Sequence, residues 1–179
     1  MNGADDNASG TAAVMAVAKA FAMSNEKPLR SVVFMLFTAE ERGLIGSDYY
    51  VKNPVFPLEK TVAMINMDMV GRNGNDTLYV VGEKQNPELA TLVNNEILKS
   101  DLKKVEMSMD LYGSSDYFPF YKKGISAIGF TSGLHSDYHR ESDNPDKINH
   151  TKVQRIAQLA YKVAWKIANT NTYFTVIKK

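Results

Sequence analysis

Four clusters carry the residues able to do chemistry: Asp5-Asp6-Asn7 within Asn2–Gly10, Glu40-Glu41 within Thr38–Ser47, Asn66-Met67-Asp68, and Asp137-Tyr138-His139 followed by Asp143. Separated carboxylates plus a histidine form the donor set of a hard-to-borderline divalent cation. A second glutamate beside a ligand glutamate adds what hydrolysis needs, a group that takes the proton of an attacking water. Adjacent residues at a strand end point in different directions, so one of Glu40 and Glu41 can ligate while the other faces the water. Each cluster alone has an ordinary reading. Asp5-Asp6-Asn7 suits a turn and helix cap, Glu40-Glu41 a solvated helix start, Asp68 a turn before Gly71, and a lone histidine a surface position. Their conjunction at the ends of apolar runs carries the metal reading.

The elements that must position them alternate in type. Ser9 or Gly10 opens a helix to about Met23, with Val14, Val17, Ala18 and Phe21 at helical spacing. Ser31 to Thr38 is a β-rich run without alternation, which predicts a central strand buried on both faces, with Glu40 and Glu41 just past its end. A short helix carrying Tyr49 and Tyr50 follows Gly46. Thr61 to Met67 predicts a second buried strand ending at Asp68, and Thr77 to Val81 a third. Pro87 to Lys99 reads as a helix with proline in its first turn, and Lys104 to Met109 and Ile125 to Phe130 as strands. Thr151 to Ala168 is an amphipathic helix with an apolar stripe from Val153 to Ile167. The pattern predicts a three-layer α/β/α fold around a mixed, mostly parallel sheet.

The 179 residues are one domain by length, with 44% hydrophobic and 23% charged residues. A net charge of +1 without a basic face argues against nucleic-acid binding. The longest apolar run, Val32 to Phe37, is too short to span a membrane, and the absence of cysteine excludes disulfides and thiolate ligands. The site loop opens at Asn2 with no strand ahead of it. We therefore expect residues 1–179 to be the C-terminal part of a longer protein, with unpaired sheet edges open to self-association.

The order and spacing of Gly-Ala-Asp-Asp-Asn-Ala-Ser-Gly, Ala-Glu-Glu-Arg-Gly-Leu-Ile-Gly-Ser, Asn-Met-Asp and Tyr-His resemble the co-catalytic zinc aminopeptidases, a family that includes bacterial leucyl aminopeptidases and glutamate carboxypeptidase. The resemblance implies an exported zinc exopeptidase acting on peptides. Asp6 would bridge two zinc ions and precede a cis peptide bond to Asn7. Glu41 and His139 would complete one zinc site and Asp68 would serve the other, with Glu40 as general base and Tyr138 steadying the oxyanion. Asp5 is not a ligand in this scheme, and Asp143 is expected to hold the other ring nitrogen of His139. His135 and Asp116 are given no chemistry beyond a turn or pocket wall, and His150 none.

One departure bears on the zinc count. The family carries a further ligand histidine in a His-x-Asp element ahead of the first motif, and this chain has no residues there. One zinc, or a partial site, is the expectation, with weak or no activity. The surviving set Asp6, Glu41 and His139 equals the single-zinc set of glutaminyl cyclases, which share the fold, so N-terminal glutamine cyclisation is an alternative. A non-catalytic binding domain is a third, and retention of Glu40 argues against it.

Overall fold

The structure, a computed structural model, describes residues 2–106, 111 and 113–177. Helix α1 (Gly10–Met23) buries Ala13, Val17 and Phe21, four residues apart on one stripe. Helix α2 (Ile45–Lys52) follows the Glu40–Arg42 turn. Strand β1 (Ala63–Met67), strand β2 (Thr77–Val81), helix α3 (Pro87–Ile97, proline in its first turn) and the two-residue strand β3 (Lys103–Lys104) come next. Helix α4 (Tyr117–Lys122), strand β4 (Ser126–Thr131) and helix α5 (His150–Ala168) complete the order. The amide N–H of Lys152 donates to the Asn149 side chain, which caps α5.

The sheet runs β1-β4-β2-β3 and is mixed: β1 and β4 are parallel, β4 and β2 antiparallel, β2 and β3 parallel. All six residues of β4 are buried, as a continuous apolar strand requires. Successive side chains leave a strand on opposite faces. Ile128 and Phe130 accordingly pack with α1, α3 and α5, while Ala127 packs with Val51 of α2 and with Tyr117 and Phe120 of α4. Two cores flank one sheet, which gives the three-layer α/β/α arrangement expected from the sequence. Among the described residues no helix is long and apolar enough to cross a membrane.

Two strand expectations need correction. The run Ser31 to Thr38 is extended but belongs to no ladder, and residues 31–37 make no backbone hydrogen bond to another described residue. It is also not buried on both faces, since Val33, Phe34 and Leu36 are exposed. Val32 still packs with the α1 side and Met35 and Phe37 with the α2 side, so the segment lies in the plane of the sheet. A cleft of about 940 Å³ separates it from β1. The β-rich pattern records what the segment can do, and burial needs neighbours that do not adjoin it. Of the described residues in Lys104 to Met109, Lys104 alone lies in a strand, and Met107 to Met109 lie outside the described residues.

Two polar details fix the elements around the site. The buried Lys152 ammonium of α5 donates to the carbonyls of Arg72 and Asn73, each at 2.6 Å, and to the Thr77 hydroxyl at 3.1 Å, which anchors the turn after β1. Burial pulls its pKa down to about 8. The Asn7 side-chain amide donates to the Met67 carbonyl at 3.1 Å, while its oxygen accepts the N–H groups of Gly10 and Met69 at 3.0 and 3.1 Å. The start of α1 is thus clamped to the end of β1. A Cβ at Gly10 would sit 2.2 Å from the Met67 carbonyl oxygen. Gly10→Ala should therefore cost about 1–3 kcal/mol in urea denaturation, overriding alanine's advantage of about 1 kcal/mol in helices. Unchanged or raised stability would show that α1 is not seated this tightly.

Candidate metal centre

Strands β1 and β4 are parallel, so Asp68 and the loop 132–143 leave the sheet at the same end, the carboxyl end at which open α/β sheets gather ligands. Glu40 and Glu41 arrive from the 31–38 segment through a turn entered at Ala39, φ 56°, and left at Gly43, φ 95°. Asp6 sits in the irregular turn Ala4–Ser9 ahead of α1, followed by a cis peptide bond to Asn7. His139 lies in the β4–α5 connection, itself with φ 56°. For alanine and histidine the left-handed region is unfavourable and is held by surroundings, a recurring property of functional sites.

These segments bring Asp6, Glu41 and His139 together, with one donor atom from each lying within 4.8 Å of the others. His139 Nε2 is 3.2 Å from an Asp6 oxygen and 3.1 Å from a Glu41 oxygen. Oxygen and nitrogen donors about 2.0–2.1 Å from a tetrahedral cation stand about 3.3 Å apart. The three side chains thus fit a divalent cation by both chemistry and spacing. Asp68 faces the same space but stands outside this triad. Its carboxylate accepts the Ser115 hydroxyl at 2.7 Å, and Ser115 in turn accepts the Asn66 side-chain amide at 2.6 Å. Glu40 lines the cleft with Asp6, Glu41, Asp68 and Asp116, and Asp116 accepts the Ser47 hydroxyl. The Tyr138 ring stacks on His139, with centroids 3.7 Å apart.

Crowding of acids sets the electrostatics. Burial, then the Asp68 and Glu41 charges, push Asp6 up to about 7. Burial, then Asp68, Glu41, Asp116 and Asp6, push Glu40 up to about 8. Asp68 and Asp116 are raised by burial above all. Burial and the surrounding carboxylates push the Tyr138 phenol up to about 12, so it stays a hydrogen-bond donor.

The expectation for Asp143 is overturned. One of its oxygens accepts the N–H groups of Asp5 and Asp6 at 2.9 and 3.1 Å, and the other lies 3.4 Å from the Arg72 guanidinium. A spacing of four residues would put it beside His139 in a helix, but residues 137–142 form turns. Arg72 also pairs with Asp137, whose carboxyl is held well below the usual range by Lys147, Ser142 and Arg72. Asn7, named above only in a turn and beside a cis bond, and Ser115, not singled out, both orient the site. The Asn66-x-Asp68 spacing, which puts both side chains on one strand face, was the available signal for the second.

The chain belongs to peptidase family M28, which it matches over residues 1–164. It is 31% identical over 170 residues to the leupeptin-inactivating enzyme 1 of Streptomyces exfoliatus, covering 94% of this chain and 37% of that protein. It is 28% identical over 193 residues to aminopeptidase YwaD of Bacillus subtilis, covering 99% and 40%. The chain therefore spans about two fifths of the length of these relatives. The fold is that of a Bacillus subtilis zinc aminopeptidase (TM-score 0.79, 24% identity, 95% of this chain and 43% of that one). It is shared with a Porphyromonas gingivalis glutaminyl cyclase (TM-score 0.70, 20% identity, 92% and 63%).

The raised acids fix the pH response of the metal-free protein. Asp6 and Glu40 keep protons in the fold at pH values where the unfolded chain has lost them, so stability rises as pH falls from about 8 toward about 5. A bound cation needs Asp6 ionised, so the zinc-loaded protein should lose stability over the same fall. Thermal unfolding with chelator and with zinc should show opposite slopes, and parallel slopes would contradict the arrangement.

Proposed function

We propose that this chain carries the metal site of a zinc-dependent aminopeptidase that removes N-terminal residues from peptides. The observation that carries the proposal is the convergence of Asp6, Glu41 and His139 at donor spacings of 3.1 and 3.2 Å, supported by membership in family M28 and by the aminopeptidase names among its relatives. These three residues would hold one zinc, and Asp68 with Asp6 would offer a partial set for another. A zinc ion there supplies Lewis acidity, which makes water a nucleophile near neutral pH. Glu40, outside the ligand triad but in the same cleft, would give up its own proton once a cation offsets the surrounding carboxylates, and its carboxylate then takes the proton of the attacking water and returns it to the leaving amine. Tyr138 keeps its phenolic proton and directs it at the oxyanion of the attacked carbonyl. Export, implied by the resemblance, belongs to the same reading, as does pairing of the open β1 edge with a second copy at high concentration.

Glutaminyl cyclisation stands second, favoured by the fact that the triad of described residues is one aspartate, one glutamate and one histidine. Calorimetry on chelator-stripped protein should find one tight zinc per chain, lost in His139→Ala and kept in Glu40→Gln. Glu40→Gln should also lower hydrolysis of a leucyl anilide by about 10²- to 10⁴-fold. Two tight zinc sites would contradict the expected count, and undiminished turnover in Glu40→Gln would remove the base. Cyclisation of an N-terminal glutamine without hydrolysis would establish the second reading.

A further inference from the structure

Asp5 and His135 form a buried pair that the metal chemistry does not use. Asp5 is fully buried, the His135 side chain is 3% exposed, and Asp5 Oδ2 faces His135 Nε2 at 3.2 Å. Neither atom has a hydrogen-bond partner among the described residues, so each has only the other to offset its removal from water. The N–H of Asp137 donates to His135 Nδ1 at 3.2 Å, which leaves the ring proton on Nε2, the nitrogen 3.2 Å from Asp5 Oδ2. The remaining Asp5 groups tie its own turn to the end of β1, and its N–H donates to Asp143 as described above. Oδ1 accepts the Gly71 N–H at 2.6 Å, just past β1 and Asp68, and the backbone carbonyl accepts the Ser9 hydroxyl at 2.7 Å. Asp5 directly precedes Asp6, and His135 opens the turn that ends at His139, its carbonyl accepting the Tyr138 N–H at 3.1 Å.

We propose that Asp5 and His135 are positioning residues, tying the Asp6 turn, the end of β1 and the His139 turn together so that the donors meet at cation spacing. This rests on the metal reading above. Glutamine can place a side-chain N–H near the position of His135 Nε2, whereas asparagine keeps an acceptor for Asp137 but cannot reach Asp5.

In zinc titrations of stripped protein, His135→Asn should weaken binding by about 10- to 100-fold, and His135→Gln should recover it to within about threefold of the parent chain. Asp5→Ser removes the same contact from the other side, together with the acceptor of the Gly71 N–H, and should weaken zinc at least as much, so the test does not depend on one variant folding. The double variant His135→Asn/Asp5→Ser should be no weaker than Asp5→Ser alone. Folded His135→Asn and Asp5→Ser proteins with parental affinity would overturn the proposal. Equal weakening in His135→Asn and His135→Gln would overturn it too, because the ring would then only fill space. A metal-free readout separates this from the underlying reading. The His135 Nε2 proton should give a slowly exchanging NMR resonance that Asp5→Ser abolishes. If the parent chain bound no zinc but kept that resonance, the metal reading would have failed while the contact stood.

Discussion

Mutual repulsion among Asp6, Glu40, Glu41, Asp68 and Asp116 is the constraint on which the rest of the structure depends. Bringing carboxylates to one end of a sheet costs desolvation and like-charge energy, and the weakened acidities of Asp6 and Glu40 reflect that cost. The fold spends specific contacts to hold the geometry. Asp143 fastens the backbone of Asp5 and Asp6, Ser115 turns Asp68, and Ser47 engages Asp116. Side chains held against their own repulsion in this way form a preorganised donor set, and a cation placed among them converts a destabilising arrangement into a stabilising one.

The sheet explains why these groups can meet at all. They come from chain positions as distant as Asp6 and His139, and no local preference could bring such segments together. The parallel pairing of β1 with β4 sends Asp68 and the His139 loop out of the same end, and Asn7 clamps the start of α1 onto the last residue of β1. Lys152 and Arg72 extend the same support from α5 through the turn after β1 to Asp143 and Asp137. Much of the polar network around the site thus serves to register loops against one another.

The three-layer architecture was legible because it depends on periodicities that survive in isolation. The buried run of β4 and the apolar stripe of α5 each read directly as what they are. Ser31 to Thr38 was misread because burial is a property of neighbours, and an apolar β-rich run looks the same with or without a paired strand. Asp6, Glu41, Asp68 and His139 could be singled out as ligand candidates because their motifs resemble those of a known family, and among the described residues the structure brings Asp6, Glu41 and His139 within 4.8 Å of one another and leaves Asp68 outside that group. Asp143 was given the wrong partner because sequence separation predicts proximity only inside a regular element. Asp5 and His135 were given no chemistry because Asp5 stands beside the residue the motif marks as a ligand and His135 has no motif of its own. Their significance appears only in burial, where two polar atoms are left facing one another.

The account stands or falls on a single cation held by one histidine and two carboxylates from three distant segments. Zinc K-edge absorption spectroscopy of the protein loaded with one equivalent tests this most directly. We predict a first shell of nitrogen and oxygen at about 2.0–2.1 Å with outer-shell scattering from one imidazole, which His139→Ala removes. Scattering from two imidazoles, from none, or from one that survives in His139→Ala would contradict it.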